Sequence, residues 1–126
     1  MNDANLVPAE IRMHRKSRML ELVYPDGERV SLAAEYLRVF SPSAEVQGHG
    51  PGQAVLIVGK ERVNVKEIEP VGHYAIRIRF DDGHDSGLFS WQYLRELADK
   101  EVENWEAYSS RCEEAGYKRK PVTDAP

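Results

Sequence analysis

The stretch Phe80–Leu97, which reads FDDGHDSGLFSWQYLREL, places three aspartates and a histidine directly before a helical pattern. An earlier stretch, Tyr24–Arg38, reads YPDGERVSLAAEYLR and has the same order of features. Both begin with an aromatic residue and an Asp-Gly turn, continue as a short strand, and end with Tyr-Leu-Arg on a helix. The repetition predicts two strand-turn-strand-helix units, in which Asp82 and Gly83 shape a turn and need no catalytic role.

The remaining sequence predicts a small α+β domain. Apolar and alternating segments separated by turn residues are typical of antiparallel strands. The predicted strands span residues 10–14, 18–24, 28–32, 54–58, 63–70, 74–80 and 87–89. A glycine-rich loop is expected at 43–53 and a short helix at 33–40. The predicted fold is a small, mostly antiparallel sheet with one short helix and one long C-terminal helix.

The longest predicted helix spans residues 91–115. Its apolar residues recur every three or four positions and form one stripe. They are Leu94, Ala98, Val102, Trp105, Tyr108 and Cys112. Ser90 has a side chain suited to the N-cap, and Gly116 suits the C-terminal cap. The opposite face is acidic, and the sequence leaves open whether it is an interface or a solvated surface.

The composition is that of one globular domain. The chain has 126 residues, of which 41% are hydrophobic and 30% charged, with a net charge of -4. These values imply neither bulk disorder nor a strong electrostatic field for nucleic acid. We assign residues 1–9 to a flexible N-terminus, 10–116 to the domain and 117–126 to a disordered tail.

The single cysteine and the absence of long apolar runs indicate where in the cell the protein is expected. Cys112 alone excludes an internal disulfide and any multi-cysteine metal site built by this chain. The N-terminal residues lack the basic and apolar segments of a secretory signal. No apolar run approaches the roughly 18 to 20 residues that span a bilayer. We therefore expect a cytoplasmic protein with no membrane contact and no nucleic-acid partner.

His84 is the main candidate for chemistry. Together with Asp81, Asp82 and Asp85 it offers atoms that could bind a metal ion, but neighbouring residues on an extended chain point to opposite faces. A solvated turn is the favoured interpretation, and a binding histidine or a direct metal ligand are the alternatives. His49, in the glycine-rich loop, could approach His84.

Two motifs carry a family resemblance: Tyr36–Glu45, YLRVFSPSAE, and Asp82–Leu94, DGHDSGLFSWQYL. From about Arg18 to Leu97 the chain resembles the gamma-butyrobetaine-hydroxylase-like N-terminal domain family, a domain of unknown function. In the hydroxylases this domain precedes a catalytic domain that uses iron(II) and 2-oxoglutarate, and similar domains are fused to Mrp-type P-loop iron-sulfur ATPases. This chain ends where the oxygenase domain would begin, so we expect no enzyme activity and assign no catalytic residue.

The resemblance also implies a structural zinc site. In the hydroxylases it is held by a Cys-x-Cys-x-x-Cys cluster and the histidine of the Asp-Gly-His motif. Here the cysteine positions are Ser41, Ser43 and Val46, and only His84 is retained. Serine hydroxyls are poor zinc ligands and valine is none. We therefore expect no metal or other cofactor, and we expect His84 to hydrogen-bond to the turn at Ser41–Ser43.

The sequence thus favours a stand-alone, non-catalytic module that binds a partner protein, with a link to iron-sulfur or iron-enzyme maturation that rests on the family's fusion partners. One alternative is a metal-binding domain in which His84, His49 and Asp85 or Asp82 surround iron or zinc. Another is a small-molecule binder or enzyme of unknown class that uses the same patch. The candidate binding residues are His84, Asp85, His49, Ser41, Ser43 and Trp91, the last as an exposed anchor at the helix start. The sequence identifies neither the partner nor the oligomeric state.

Overall fold

The computed structural model describes residues 7–42 and 56–119, except for the side chains of 85–87. In these ranges the chain forms six strands and three helices. The strands are β1 (Glu10–His14), β2 (Met19–Val23), β3 (Arg29–Ala33), β4 (Val65–Val71), β5 (Ala75–Phe80) and β6 (Asp85–Ser90). The helices are α1 (Ala34–Val39), α2 (Trp91–Asp99) and α3 (Glu101–Glu114). The predicted α+β class is confirmed.

The strands form two antiparallel three-stranded sheets, β1-β2-β3 and β4-β5-β6, where the sequence predicts a single sheet. Each sheet runs directly into a helix, α1 after β3 and α2 after β6. The registers correspond, because Met19 pairs with Ala33 as Ala75 pairs with Ser90. The repetition in the sequence is therefore a repetition in the fold. We call β1 to α1 the first unit and β4 to α2 the second unit.

The turns of the two units have the same geometry. In each, the aspartate side chain accepts a hydrogen bond from the amide two residues later, at 2.9 Å for Asp26 and 3.0 Å for Asp82. The following glycines have φ values of 92° (Gly27) and 90° (Gly83), a region that side-chain-bearing residues rarely adopt. The predicted turn roles of Asp82 and Gly83 are confirmed.

The apolar side chains of both units meet in one core. Its buried members include Leu20, Leu22, Leu32, Tyr36, Leu37, Ile76, Ile78, Phe80, Phe89 and Leu94. The apolar residues of the alternating pattern in β5 are buried, as predicted. On the outer face of the same strand, Arg79 forms an ion pair with Glu69 of β4 at 3.4 Å. Each sheet therefore buries one face and presents a charged face to solvent.

The long C-terminal helix is interrupted at Lys100, which ends α2 with φ −108° and ψ 19°. The N-cap prediction is confirmed, since the Ser90 hydroxyl accepts a hydrogen bond from the Tyr93 amide at 3.0 Å. The helical rotation is not continuous across Lys100, so the predicted apolar stripe is wrong at Val102, which is 70% exposed. Within the described ranges, no helix is both long and apolar enough to cross a bilayer.

The strand predicted at 54–58 is wrong for residues 56–58, which belong to no strand. Among the described residues, no strand pairs with this apolar run. Instead, the carbonyl of Ile57 accepts a hydrogen bond from the hydroxyl of Tyr108 on α3 at 2.6 Å. This short segment is thus held against a helix.

Two further predictions concern the loop and the tail. The loop at 43–53 lies outside the described residues. Of the tail predicted at 117–126, residues 117–119 are described, and they contact the domain through Tyr117 and Arg119. The order of the remaining tail stays a prediction.

Candidate functional site

The turn of the second unit lies against the end of α1. Ser41 Oγ and His84 Nε2 are 3.2 Å apart, a hydrogen bond between two buried side chains. The ring of His84 also lies beside that of Phe80, with centroids 6.1 Å apart. The predicted contact between His84 and the turn after α1 is therefore confirmed, and it joins the two units.

Asp82 is the centre of an ion cluster beside this contact. Its Oδ2 accepts from Arg38 Nε at 2.8 Å and lies 2.7 Å from Lys60 Nζ. The Arg38 side chain is 5% exposed and that of Asp82 is 18% exposed. A buried guanidinium needs such a carboxylate, because a buried charge without its partner is strongly destabilising. We call Arg38, Ser41, Lys60, Asp82 and His84 the Asp82 cluster.

The pKa of Asp82 follows from these contacts. Burial alone would raise this pKa, but the hydrogen bonds from Lys60, the His84 amide and Arg38 outweigh burial and lower the pKa from 3.8 to about 2. The carboxylate is therefore ionised at neutral pH and is not poised to exchange a proton. Its role in the cluster is that of a fixed anion.

The first unit contains an equivalent contact. Arg95 of α2 donates through Nη1 and Nη2 to the two carboxylate oxygens of Glu28, in the turn of the first unit, at 3.0 Å each. Arg38 and Arg95 hold the same place in the two Tyr-Leu-Arg motifs. Each helix therefore extends its arginine to the turn of the other unit.

The tyrosines of the same motifs also form hydrogen bonds to the other unit. The Tyr36 hydroxyl donates to the carbonyl of Leu97 at 2.6 Å, and the Tyr93 hydroxyl donates to the carbonyl of Phe40 at 2.5 Å. Carbonyls at the end of a helix lack partners within the helix. The two bonds satisfy the ends of α2 and α1, so the Tyr-Leu-Arg motifs link the two units.

The other predicted site residues are not assembled around His84. Trp91 is partly buried, packs against the core, and donates its indole N–H to the carbonyl of His73 at 2.8 Å. Its use as a partner anchor stays a prediction. Ser43, His49 and the side chain of Asp85 lie outside the described residues.

Sequence reasoning missed Arg38 and Lys60. The repeated motif singles out Arg38, but periodicity does not show that its carboxylate partner lies in the other unit. Lys60 has no sequence signal, because its approach to Asp82 depends on the path of the chain before β4.

The described residues do not fit the zinc site that the family resemblance implies. Within the described ranges, no group of three His, Cys, Asp or Glu side chains could hold a metal ion. The Nε2 of His84 is bonded to Ser41, whose neutral hydroxyl is a weak zinc ligand. The carboxylate of Asp82 is already bound by two cations. Among the described residues, these groups form a hydrogen-bonded contact.

The Ser41–His84 pair also lacks the features of a nucleophilic centre. Ser41 is fully buried, so its hydroxyl is not presented at the surface. The oxygens of Asp82 bind the His84 amide and the two cations, which leaves the carboxylate unsuited to orient the imidazole.

Comparisons with known proteins agree with this fold. A family model described as gamma-butyrobetaine hydroxylase-like, N-terminal, matches residues 11–95. Two proteins solved by NMR in solution are 47% and 46% identical, each with a TM-score of 0.77, and the matches cover 93% and 94% of this chain and 92% and 88% of theirs. A crystal structure of a protein of unknown function of the DUF971 family, from Acidithiobacillus ferrooxidans, is 41% identical with a TM-score of 0.64, over 77% of this chain and 98% of that chain. No curated protein matches the chain.

Proposed function

Because the chain belongs to the gamma-butyrobetaine hydroxylase-like N-terminal domain family, we propose that it is a non-catalytic module that binds a partner protein and acts in iron-sulfur or iron-enzyme maturation. The observation that supports the proposal is that the side chains with reactive groups bond to other side chains of the same domain. His84 is bonded to Ser41, and Asp82 to Arg38 and Lys60. Side chains committed to the fold in this way are poorly placed for acid-base or nucleophilic turnover.

The link to iron rests on the family. Similar domains are fused to Mrp-type P-loop iron-sulfur ATPases or precede the iron(II) domain of the hydroxylases. Those two enzyme types share iron and not an active site, so an accessory role beside the enzyme is the function that both settings have in common. The proposal keeps the cytoplasmic location that the sequence predicts.

Exposed apolar side chains are the surfaces on which a partner would bind. Tyr74 is 58% exposed. Its carbonyl accepts a hydrogen bond from the amide of Trp91 at 3.0 Å, so two aromatic residues are adjacent at one end of the second sheet. Tyrosine and tryptophan are enriched among residues that dominate binding energy. We place the centre of the interface at Tyr74 and Trp91, with the exposed Val102 on α3 as a comparison site.

The test uses a purified Mrp-type P-loop iron-sulfur ATPase as the probe, with and without its cluster, and isothermal titration calorimetry. We expect binding that Tyr74→Ser weakens at least about tenfold, equivalent to about 1.4 kcal/mol. Val102→Ser is the matched control, since it also replaces an exposed apolar side chain with serine, and it should change the affinity less than about twofold.

Three outcomes would count against the proposal. No binding to either form of the ATPase would remove the link to iron-sulfur proteins. Loss of binding with Val102→Ser and not with Tyr74→Ser would move the interface to α3. An enzymatic activity abolished by His84→Ala would overturn the non-catalytic assignment.

A further inference from the structure

The chain turns back onto the domain after α3. Gly116 has a φ of 77°, and the amides of Gly116 and Tyr117 donate to the carbonyls of Glu113 at 3.0 Å and Cys112 at 2.8 Å. This pair of bonds is a Schellman motif, which ends a helix and reverses the chain direction. Residues Tyr117–Arg119, here called the C-terminal strap, therefore run across the domain.

The C-terminal strap supplies partners to two buried carboxylates. Arg119 donates to Glu35 of α1 through Nε, at 2.9 Å, and through Nη2, and its guanidinium lies 4.8 Å from the ring centre of Trp105. The hydroxyl of Tyr117 donates to Glu61 at 2.6 Å. Both glutamates are buried. Because a buried carboxylate that loses a partner is destabilising, these contacts hold the strap firmly.

Both glutamates are close in sequence to the cations of the Asp82 cluster. Glu35 precedes Arg38 by less than one turn of α1, and Glu61 directly follows Lys60. Arg38 and Lys60 are the two cations bound to Asp82. The strap thus binds the two elements from which these cations extend.

We propose that the C-terminal strap holds the Asp82 cluster closed and that its release opens the cluster. While the strap is bound, α1 and the segment at 60–61 keep both cations on Asp82. When it is displaced, Lys60, the more exposed of the two cations, separates first. The turn that carries His84 then loosens, because the His84 amide is bonded to the same carboxylate. This inference goes beyond the proposed function, since it requires no partner protein.

Hydrogen exchange of backbone amides in the full chain, followed by NMR, tests the inference. The double variant Tyr117→Phe/Arg119→Gln removes both strap contacts with little change in side-chain size. Lys118→Ala is the matched control, because Lys118 lies between the two residues and is exposed. Tyr117→Phe alone, which deletes one hydroxyl, serves if the double variant does not fold.

The amides of Val63 and His84 report on the cluster, because they donate to the carbonyl of Lys60 at 3.1 Å and to Asp82 at 3.0 Å. We expect their exchange to rise about tenfold or more in the double variant, about threefold in Tyr117→Phe, and less than twofold in the control, with no change for Leu22 in the first sheet. Unchanged exchange at His84 overturns the inference. A uniform rise that includes Leu22 also overturns it, since the strap would then add only global stability.

Discussion

The two units have the same turn in different surroundings. In the first unit, the ion pair between Glu28 and Arg95 lies at the surface, with side chains 46% and 25% exposed. In the second, the pair between Asp82 and Arg38 is 18% and 5% exposed. The same local turn therefore carries a largely exposed ion pair in the first unit and a largely buried one in the second.

This difference separates two kinds of electrostatic contribution. Exposed ion pairs add roughly 0 to 1 kcal/mol, because solvent and salt screen them. A buried ion pair that loses one partner leaves an uncompensated charge, which costs about 3 to 5 kcal/mol when burial is complete. The same arginine position in the repeated motif should therefore matter much more in α1 than in α2.

The largest effect is expected from Asp82→Asn. The amide oxygen of asparagine can still accept the turn hydrogen bond from His84, but Arg38 and Lys60 lose their anion, so we expect a loss of about 2 to 3 kcal/mol. Glu28→Gln in the first unit should cost less than about 1 kcal/mol. Urea unfolding measures both changes, and equal losses would break the comparison between the units.

Lowering the pH should weaken the stabilisation provided by the Asp82 carboxylate in the second unit. The folded-state pKa of Asp82, about 2, lies below its ordinary value of 3.8, so its stabilisation is complete above the ordinary value and is lost as the pH falls through the folded value. After discounting for the part of the carboxylate that remains exposed, this amounts to about 1 to 2 kcal/mol.

Unfolding free energies of the wild type and Asp82→Asn, measured against pH, check this expectation. The gap between the two proteins should narrow by about 1 to 2 kcal/mol in acid. If the difference in unfolding free energy between the wild type and Asp82→Asn stays constant as the pH falls from neutral through 3.8 toward about 2, the effect does not come from Asp82.

The N-cap residues of α1 and α2 differ. Substituting them should change the free energy of unfolding less than Asp82→Asn does. The Ser90 side chain caps α2, whereas Ala33 at the equivalent position of α1 has no side-chain acceptor and a similar backbone, with φ −68° and ψ 144°. Ser90→Ala should cost about 1 kcal/mol, and Ala33→Ser should gain about 0.5 kcal/mol. Thermal unfolding measures both changes, and destabilisation by Ala33→Ser would show that the two caps are not equivalent.

The smallest expected effect is on metal content. His84→Ala should leave the iron and zinc content of untagged protein, purified without chelator, unchanged and well below one ion per chain, because His84 is bonded to Ser41. Glu28→Ala is the matched control at the equivalent turn position. Near-stoichiometric metal that disappears only with His84→Ala would show that the turn of the second unit is a metal site.

Local patterns predicted most of the fold. The Asp-Gly turns, the alternation in β5 and the cap at Ser90 depend on neighbouring residues, so the sequence shows them directly. The interruption at Lys100 was missed because no glycine or proline marks it. The division into two sheets was missed because it depends on which strands pair with each other, and the periodicity of the sequence does not show strand pairing.

The candidate site was predicted only in part. The contact between His84 and Ser41 followed from the family resemblance, in which both positions belong to one site. The ion pair of Arg38 with Asp82 was not foreseen, because it joins distant parts of the chain and depends on how the two units pack. Lys60 was missed for the same reason.

The contacts that the tyrosines and arginines of each unit make with the other unit have a consequence for folding. Each helix end and each turn is completed by the other unit, so neither unit should be an independently stable domain, and unfolding should be a single cooperative transition. A chain cleaved between residues 42 and 56 should then yield two fragments that are largely unfolded apart and regain structure when mixed. Their reconstitution would behave as a bimolecular association whose midpoint depends on fragment concentration.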